Sequence, residues 1–268
     1  SSSSSSSKHD ERVKKKNKLD VERKKLPIYE ARQGLLSMVG SHPSLVIVGE
    51  TGSGKTTQLP QYLLEEQLIK DGMGIAVTQP RRVAAITVAE RVAEEMGEQL
   101  GQKVGYKVRF DDKTSDKTSL TYLTDGMLLR EACIDRDLNK YHIVILDEAH
   151  ERTLHTDILF AILKSIQKRR KDNFKIIAMS ATLQANKFSA YFGGAPVLYV
   201  KGRQYPVDIM YTLEPQQDYV DAVVTTVLQI HLEKPMPGDV LVFLTGQEEI
   251  ETCLRLLREK IAKLPTSA

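Results

Sequence analysis

The eight residues GETGSGKT, Gly49 to Thr56, constrain the fold of this chain more than any other stretch. They fit G-x-x-x-x-G-K-[ST] and stand between the apolar run SLVIVG (44–49) and a segment that reads as a helix from about Gly54 to Leu68. Strand, glycine loop and helix in that order turn backbone N–H groups and a helix N-terminus toward one point, where phosphate oxygens are held. Lys55 is expected to reach the β- and γ-phosphates of a nucleotide, and the Thr56 hydroxyl to hold Mg²⁺.

A second stretch, HIVILDEAHERT (142–153), asks for the same ligand. Apolar residues that read as a buried strand run straight into Asp147 and Glu148. Burying unpaired carboxylates costs several kcal/mol unless a cation or donors meet them. A phosphate-bound Mg²⁺ together with Lys55 supplies that counter-charge. Asp147 is then expected to orient the metal, and Glu148 to orient and deprotonate the attacking water.

Apolar runs alternate with amphipathic segments along the chain. GIAVTQ (74–79), KVGYKVRF (103–110), SLTYLT (119–124), HIVILDE (142–148) and FKIIAMS (174–180) read as strands. Helices are expected through RRVAAITVAERVAEEMG, stopping at Gly97, through DGMLLREAC, and from Thr156 to Arg170. The class is α/β, a doubly wound parallel sheet with helices on both faces. Beyond Arg203, YPVDIMYT and DVLVFLTG (239–246) read as strands, and YVDAVVTTVLQIHLE and QEEIETCLRLLREKIAKL as helices. That is about one further repeat unit, as though the chain were cut there.

Net charge is +3 over 268 residues, unevenly spread. Lys8 to Lys25 holds nine Lys or Arg against four Asp or Glu, so the rest is slightly acidic. Any nucleic-acid surface on the folded part must therefore be a local patch. Residues 1–25, opening on seven serines, read as a disordered basic tail or a solvated helix. The basic run QKRRKDNFK (167–175) ends a helix, where it complements the macrodipole. No apolar run approaches the roughly 18 residues of a membrane span, so no membrane partner is expected. Cys133 and Cys253 lack metal-ligand spacing.

DEAH (147–150) following GETGSGKTT resembles the DEAH-box ATPases of helicase superfamily 2. TQPRRVAA (78–85), LTDGMLLRE (123–131), HERTLHTD (150–157), SAT (180–182) and LVFLTGQEEIE (241–251) resemble further motifs of that family, in its order. The resemblance implies a RecA-like P-loop domain over 26–203 and the start of a second RecA-like domain over 204–268. The cofactors it implies are ATP and Mg²⁺. Gly49, Glu50, Thr51, Gly52, Ser53, Gly54, Lys55, Thr56 and Thr57 would cradle the triphosphate, and Arg91 would stack on the base. Thr56, Asp147 and, through water, Glu148 would serve the metal, while Glu148, Lys55 and Asp147 would carry catalysis. RNA contacts fall to Arg81, Arg82, Arg109, Phe110, Thr124 and Gly126. His150, Ser180 and Thr182 would couple hydrolysis to movement. In the family the box histidine meets a late glutamine motif that these residues do not contain, so His150 and Thr182 are expected to be uncoupled.

The family's arginine motif is likewise outside this sequence. An arginine finger is worth roughly 10³–10⁵ in rate, so these 268 residues are expected to bind nucleotide weakly and hydrolyse it barely. What the resemblance implies is the motor core of an ATP-dependent RNA helicase. It would be monomeric, work in RNA processing or ribosome biogenesis, and be served by an activating protein partner. A nuclear location, in the nucleolar branch, is expected, with the cytoplasm as the alternative. The competing readings are a catalytically silent short isoform that binds RNA or a partner, and a DNA-directed translocase of the same superfamily.

Overall fold

Runs of aliphatic residues without polar alternation must be covered on both faces, and the computed structural model places them so. It describes residues 19–182, 185–202, 205–233 and 238–264. The strands are β1 (Ser44–Gly49), β2 (Gly74–Gln79), β3 (Val104–Val108), β4 (Asp111–Lys113), β5 (Leu120–Thr124), β6 (Tyr141–Leu146), β7 (Lys175–Ser180) and β8 (Val197–Val200). They form one sheet in the order β4-β3-β5-β2-β6-β7-β1-β8. Every pairing is parallel except β3 with β4, a hairpin at the edge.

Successive side chains of a strand point to opposite faces, so each central strand feeds two cores. Leu45 and Ile47 of β1 pack with Val77 and Ile145 beneath α1 (Arg32–Ser41), α2 (Lys55–Glu65) and α3 (Arg82–Met96). Val46 and Val48 join Val144, Leu146, Leu159 and Leu163 beneath α4 (Asp125–Ile134) and α5 (Leu154–Arg170). The aromatic rings of Phe160 on α5 and Phe188 on α6 (Ala185–Tyr191), with centroids 5.4 Å apart, close that second face.

Helix ends follow their local chemistry. Gly97 stops α3 at φ 69°, in the left-handed region that glycine enters without steric cost. Thr153 caps α5 by accepting from Thr156 N at 3.1 Å. The basic run after it is spent on structure. Arg169 pairs with Asp137 at 2.7 Å, and Arg170 donates to the carbonyls of Asp137, Leu138 and Tyr141.

Residues 1–18 of the expected tail lie outside the described residues. Its last part does not behave as a tail: 19–24 is helical, Leu19 is buried, and Arg23 donates to Gln58 at 2.7 Å and to Glu65 at 2.9 Å. A guanidinium with two partners on α2 holds that turn against the domain.

The chain divides into two compact units, Ser1–Gln204 and Tyr205–Ala268. In the second, α7 (Tyr219–Glu233) and α8 (Gln247–Ile261) form where expected. Glu249 accepts from Thr245 N at 3.0 Å, tying down the start of α8. The strands expected at YPVDIMYT and DVLVFLTG do not form, and Phe243 is 85% exposed. A strand is stabilised by neighbours that pair with its N–H and C=O groups, and no strand of this unit is among the described residues.

Gly105 admits no side chain. A Cβ there would stand 2.2 Å from the Lys113 carbonyl oxygen across the hairpin. Gly105→Ala is expected to cost about 1–3 kcal/mol by overpacking. The expected reading is a lower urea midpoint at unchanged m-value; an unmoved midpoint would show that the hairpin gives way freely.

Candidate nucleotide and nucleic-acid site

The C-terminal ends of β1, β2, β5, β6 and β7 bring the candidate residues to one edge of the sheet, where ligands of open α/β sheets bind. After β1 the loop turns on Gly52 (φ 81°) and Gly54 (φ 92°). A Cβ at Gly52 would meet nothing within 4 Å, so what calls for glycine there is its positive φ and not crowding. A Cβ at Gly54 would press Leu26 and Ile28 at 3.0 Å, and Ile28 N donates to Ser53 O at 3.1 Å. The turn before α1 thus buttresses the loop from behind. Thr51 lies exposed in the loop, whereas Ser53 is buried.

Lys55 opens α2 and is buried. Its Nζ donates to the carbonyls of Gly49 at 2.5 Å and Glu50 at 3.0 Å, with Ser53 Oγ at 3.4 Å. Burial pushes its ammonium below the ordinary lysine value, and the charges of Asp147 and Glu148 oppose that shift. Thr57 turns inward along α2, its hydroxyl 3.4 Å from Gly54 O and accepting from Gln58 Nε2 at 2.9 Å.

Asp147, 2% exposed, receives three donors. Thr56 Oγ1 and Gln79 Nε2 both reach Oδ2, at 2.5 and 2.6 Å, and Glu148 N reaches Oδ1 at 2.9 Å. Burial nonetheless wins, and its carboxyl is pushed above the usual range. Glu148 adopts φ 50°, a left-handed conformation uncommon outside glycine. Its carboxyl is also raised, by burial first and then by Asp147 beside it.

His150 links the acid box to the end of β7. Its Nδ1 accepts from Ala181 N at 3.3 Å, so Nε2 carries the proton and faces Glu148 Oε2 at 3.4 Å. Thr182 N donates to the buried Ser180 Oγ at 3.1 Å. The backbone of Ala181 reaches His150 because β6 and β7 are adjacent in the sheet.

The donor set suits Mg²⁺. Thr56 spends its single proton on Asp147 and keeps lone pairs for a cation. Among the described residues no cluster of three or more His, Cys, Asp or Glu is placed to hold a metal by itself. One hydroxyl and one carboxylate completed by phosphate oxygens is the arrangement Mg²⁺ favours over an all-protein cage.

Arg82, Arg109, Thr124 and Gly126 line one cleft of about 450 Å³ with Arg130 and His155. Arg81 lies outside that lining and pairs with Glu151 at 3.5 Å. Phe110 is 90% exposed at φ 68°, with the Arg109 guanidinium 4.8 Å over its ring. Core packing of Phe110 is thereby excluded. Arg91 is half-exposed on α3 and bonded to Glu95 at 2.8 Å. Glu95 is buried and accepts from Gln58 and Gln61 of α2, at 2.8 Å each. The sequence reading singled out neither Gln79 nor Tyr122, whose hydroxyl donates to Thr56 O at 2.9 Å. The one signal for Gln79 is a polar residue closing an otherwise apolar strand, the same signal that marks Asp147.

A family model described as DEAD/DEAH box helicase matches residues 31–189. Over 251 residues, 92% of this chain, the sequence is 55% identical to the human protein named ATP-dependent RNA helicase DHX33 and 54% identical to its mouse counterpart. It is 48% identical, over 93% of its length, to an Arabidopsis thaliana protein named Pre-mRNA-splicing factor ATP-dependent RNA helicase DEAH10. The matches span 35%, 36% and 40% of those relatives. No helix among the described residues is long and apolar enough to cross a membrane. With more than half of its length matched by the family model, and with its acid box joined to its glycine loop through Thr56 and Asp147, the chain belongs to the DEAD/DEAH box helicase family.

Proposed function

We propose that this chain is the nucleotide-hydrolysing core of an ATP-dependent RNA helicase that works in nuclear RNA processing. The observation that carries the reading is the Thr56–Asp147 pair, 2.5 Å apart, beside the buried Lys55 and next to Glu148. Mg²⁺, which Thr56 and Asp147 would hold, would offset the charge of the phosphate oxygens. Loop N–H groups and Lys55 hold the phosphates, and Thr56 and Asp147 hold the metal. Glu148 takes a proton from the attacking water, its carboxylate steadied by His150. Arg91 is the candidate for stacking on the base. RNA, as a substrate, is supported by the names of the relatives and by the arginine-lined cleft. The nuclear setting rests on the relative named as a splicing factor.

A cleft that grips backbone phosphates affects every sequence alike and is weakened by salt. Arg82→Ala and Arg109→Ala are each expected to weaken single-stranded RNA binding uniformly across sequences. Each should also reduce the slope of log K against log[salt] by about 1. Fluorescence anisotropy over a salt series measures both, with DNA of the same sequence as comparison. Unchanged slopes, or tighter binding of DNA than RNA, would sink the RNA reading.

A further inference from the structure

Gln79 closes β2, and three connections meet there. Its side chain, 3% exposed, donates to Asp147 Oδ2, the oxygen that also accepts from Thr56. Its backbone stands in register with Thr124 on β5. Pro80 and Arg82, just beyond it, line the cleft together with Thr124 and Gly126. One residue therefore has its amide on the nucleotide side and its chain neighbours on the polynucleotide side.

The chemistry makes this connection stiff. An ionised carboxylate only accepts hydrogen bonds, so the amide must present its N–H to Asp147; turned over, oxygen would meet oxygen. A hydrogen bond to a charged acceptor is also stronger than a neutral one. Pro80 has its φ fixed by the ring, and the residue before a proline is held to extended conformations. A displacement of the arginine segment therefore has little slack to absorb it before it reaches the amide of Gln79.

We propose that Gln79 is the positioning residue through which polynucleotide in the cleft alters the hold on Asp147, so that the two ligands are coupled within this one domain. The inference rests on the function proposed above. Anionic backbone drawn onto Arg82 and Arg109 moves the end of β2, and Nε2 moves with it relative to Asp147 Oδ2. The coupling is reciprocal: the factor by which RNA changes nucleotide affinity equals the factor by which nucleotide changes RNA affinity.

The test uses the whole 268-residue chain, Mg²⁺ with a fluorescent ADP, and a labelled single-stranded oligouridylate. In the unmodified protein each ligand is expected to change the dissociation constant of the other by at least about fivefold. In Gln79→Met, which keeps the length of the side chain and removes the donor, that factor should fall to within about twofold of unity. An equal factor in both proteins overturns the inference, as does the absence of coupling in an unmodified protein that binds both ligands. Failure to bind either ligand instead overturns the function it rests on. Should Gln79→Met not fold, the side-chain amide resonances of Gln79 in the unmodified protein decide. They shift when RNA is added without nucleotide if the inference holds, and stay in place if it fails.

Discussion

Replacing Glu148 with glutamine will lower single-turnover ATP hydrolysis by about 10²–10⁴-fold and leave nucleotide affinity within about threefold. Glutamine keeps the length and polarity of the side chain but does not take a proton from water. The phosphate grip proposed for the loop, Lys55 and Thr56 does not involve Glu148. The pH profile sharpens the test. Burial and the neighbouring Asp147 raise the Glu148 carboxyl above its ordinary 4.5. As a base it works ionised, so the rate should fall as pH drops through that raised value. This acidic limb should vanish in Glu148→Gln. Quenched-flow or radiolabelled single-turnover assays with protein in excess measure the rates even when turnover is slow. An unchanged rate would place the base elsewhere.

Asp147→Asn should stabilise the protein without nucleotide and abolish most of the stabilisation that Mg²⁺–nucleotide confers. In the folded chain burial raises the Asp147 carboxyl above 3.8, against three donors and Lys55. A raised acid binds its proton more tightly folded than unfolded. Its stabilising contribution is complete below the ordinary value and is lost as pH rises through the folded value. Above that folded value the buried carboxylate is ionised and a net cost. Asparagine keeps an oxygen for Thr56 and Gln79 and carries no charge, and the bond it gives up, from Glu148 N, offsets only part of that gain. About 1 kcal/mol recovered corresponds to a rise in Tm of about 2–4 °C for a domain of this size. The wild type should gain about 2.7 kcal/mol from Mg²⁺–nucleotide at a hundred times its Kd, and the variant far less. Thermal melts with and without ligand decide. A variant that melts lower alone and gains as much from ligand would show that the metal does not use Asp147. Stability given up at a site for the sake of its ligand is common in enzymes.

The elements of the first unit were largely legible because their signals are local. An uninterrupted apolar run marks a strand covered on both sides, and β1, β2 and β6 are buried along their full length. Gly97 marks the end of α3 by its backbone freedom alone. The short edge strands β4 and β8 escaped notice, as did α6, because three to seven residues carry too little periodicity to read. The reverse error came at 205–212 and 239–246. Residue type there favours strands, but the neighbours needed to pair with them are not among the described residues.

From sequence alone came the chemistry available: a glycine loop ending in Lys55 and Thr56, a strand ending in Asp147 and Glu148, and arginines following β2 and β3. Residue type and spacing are properties of a short stretch of chain, so folding was not needed to see them. Which groups meet was decided only by the sheet order. Gln79 reaches Asp147 because β2 and β6 are neighbours, Tyr122 reaches Thr56 from β5, and His150 finds Ala181 because β7 lies beside β6. Those bonds join residues tens of positions apart, and distance along a chain carries no information about distance in space until long-range strand pairing has closed the loops between them.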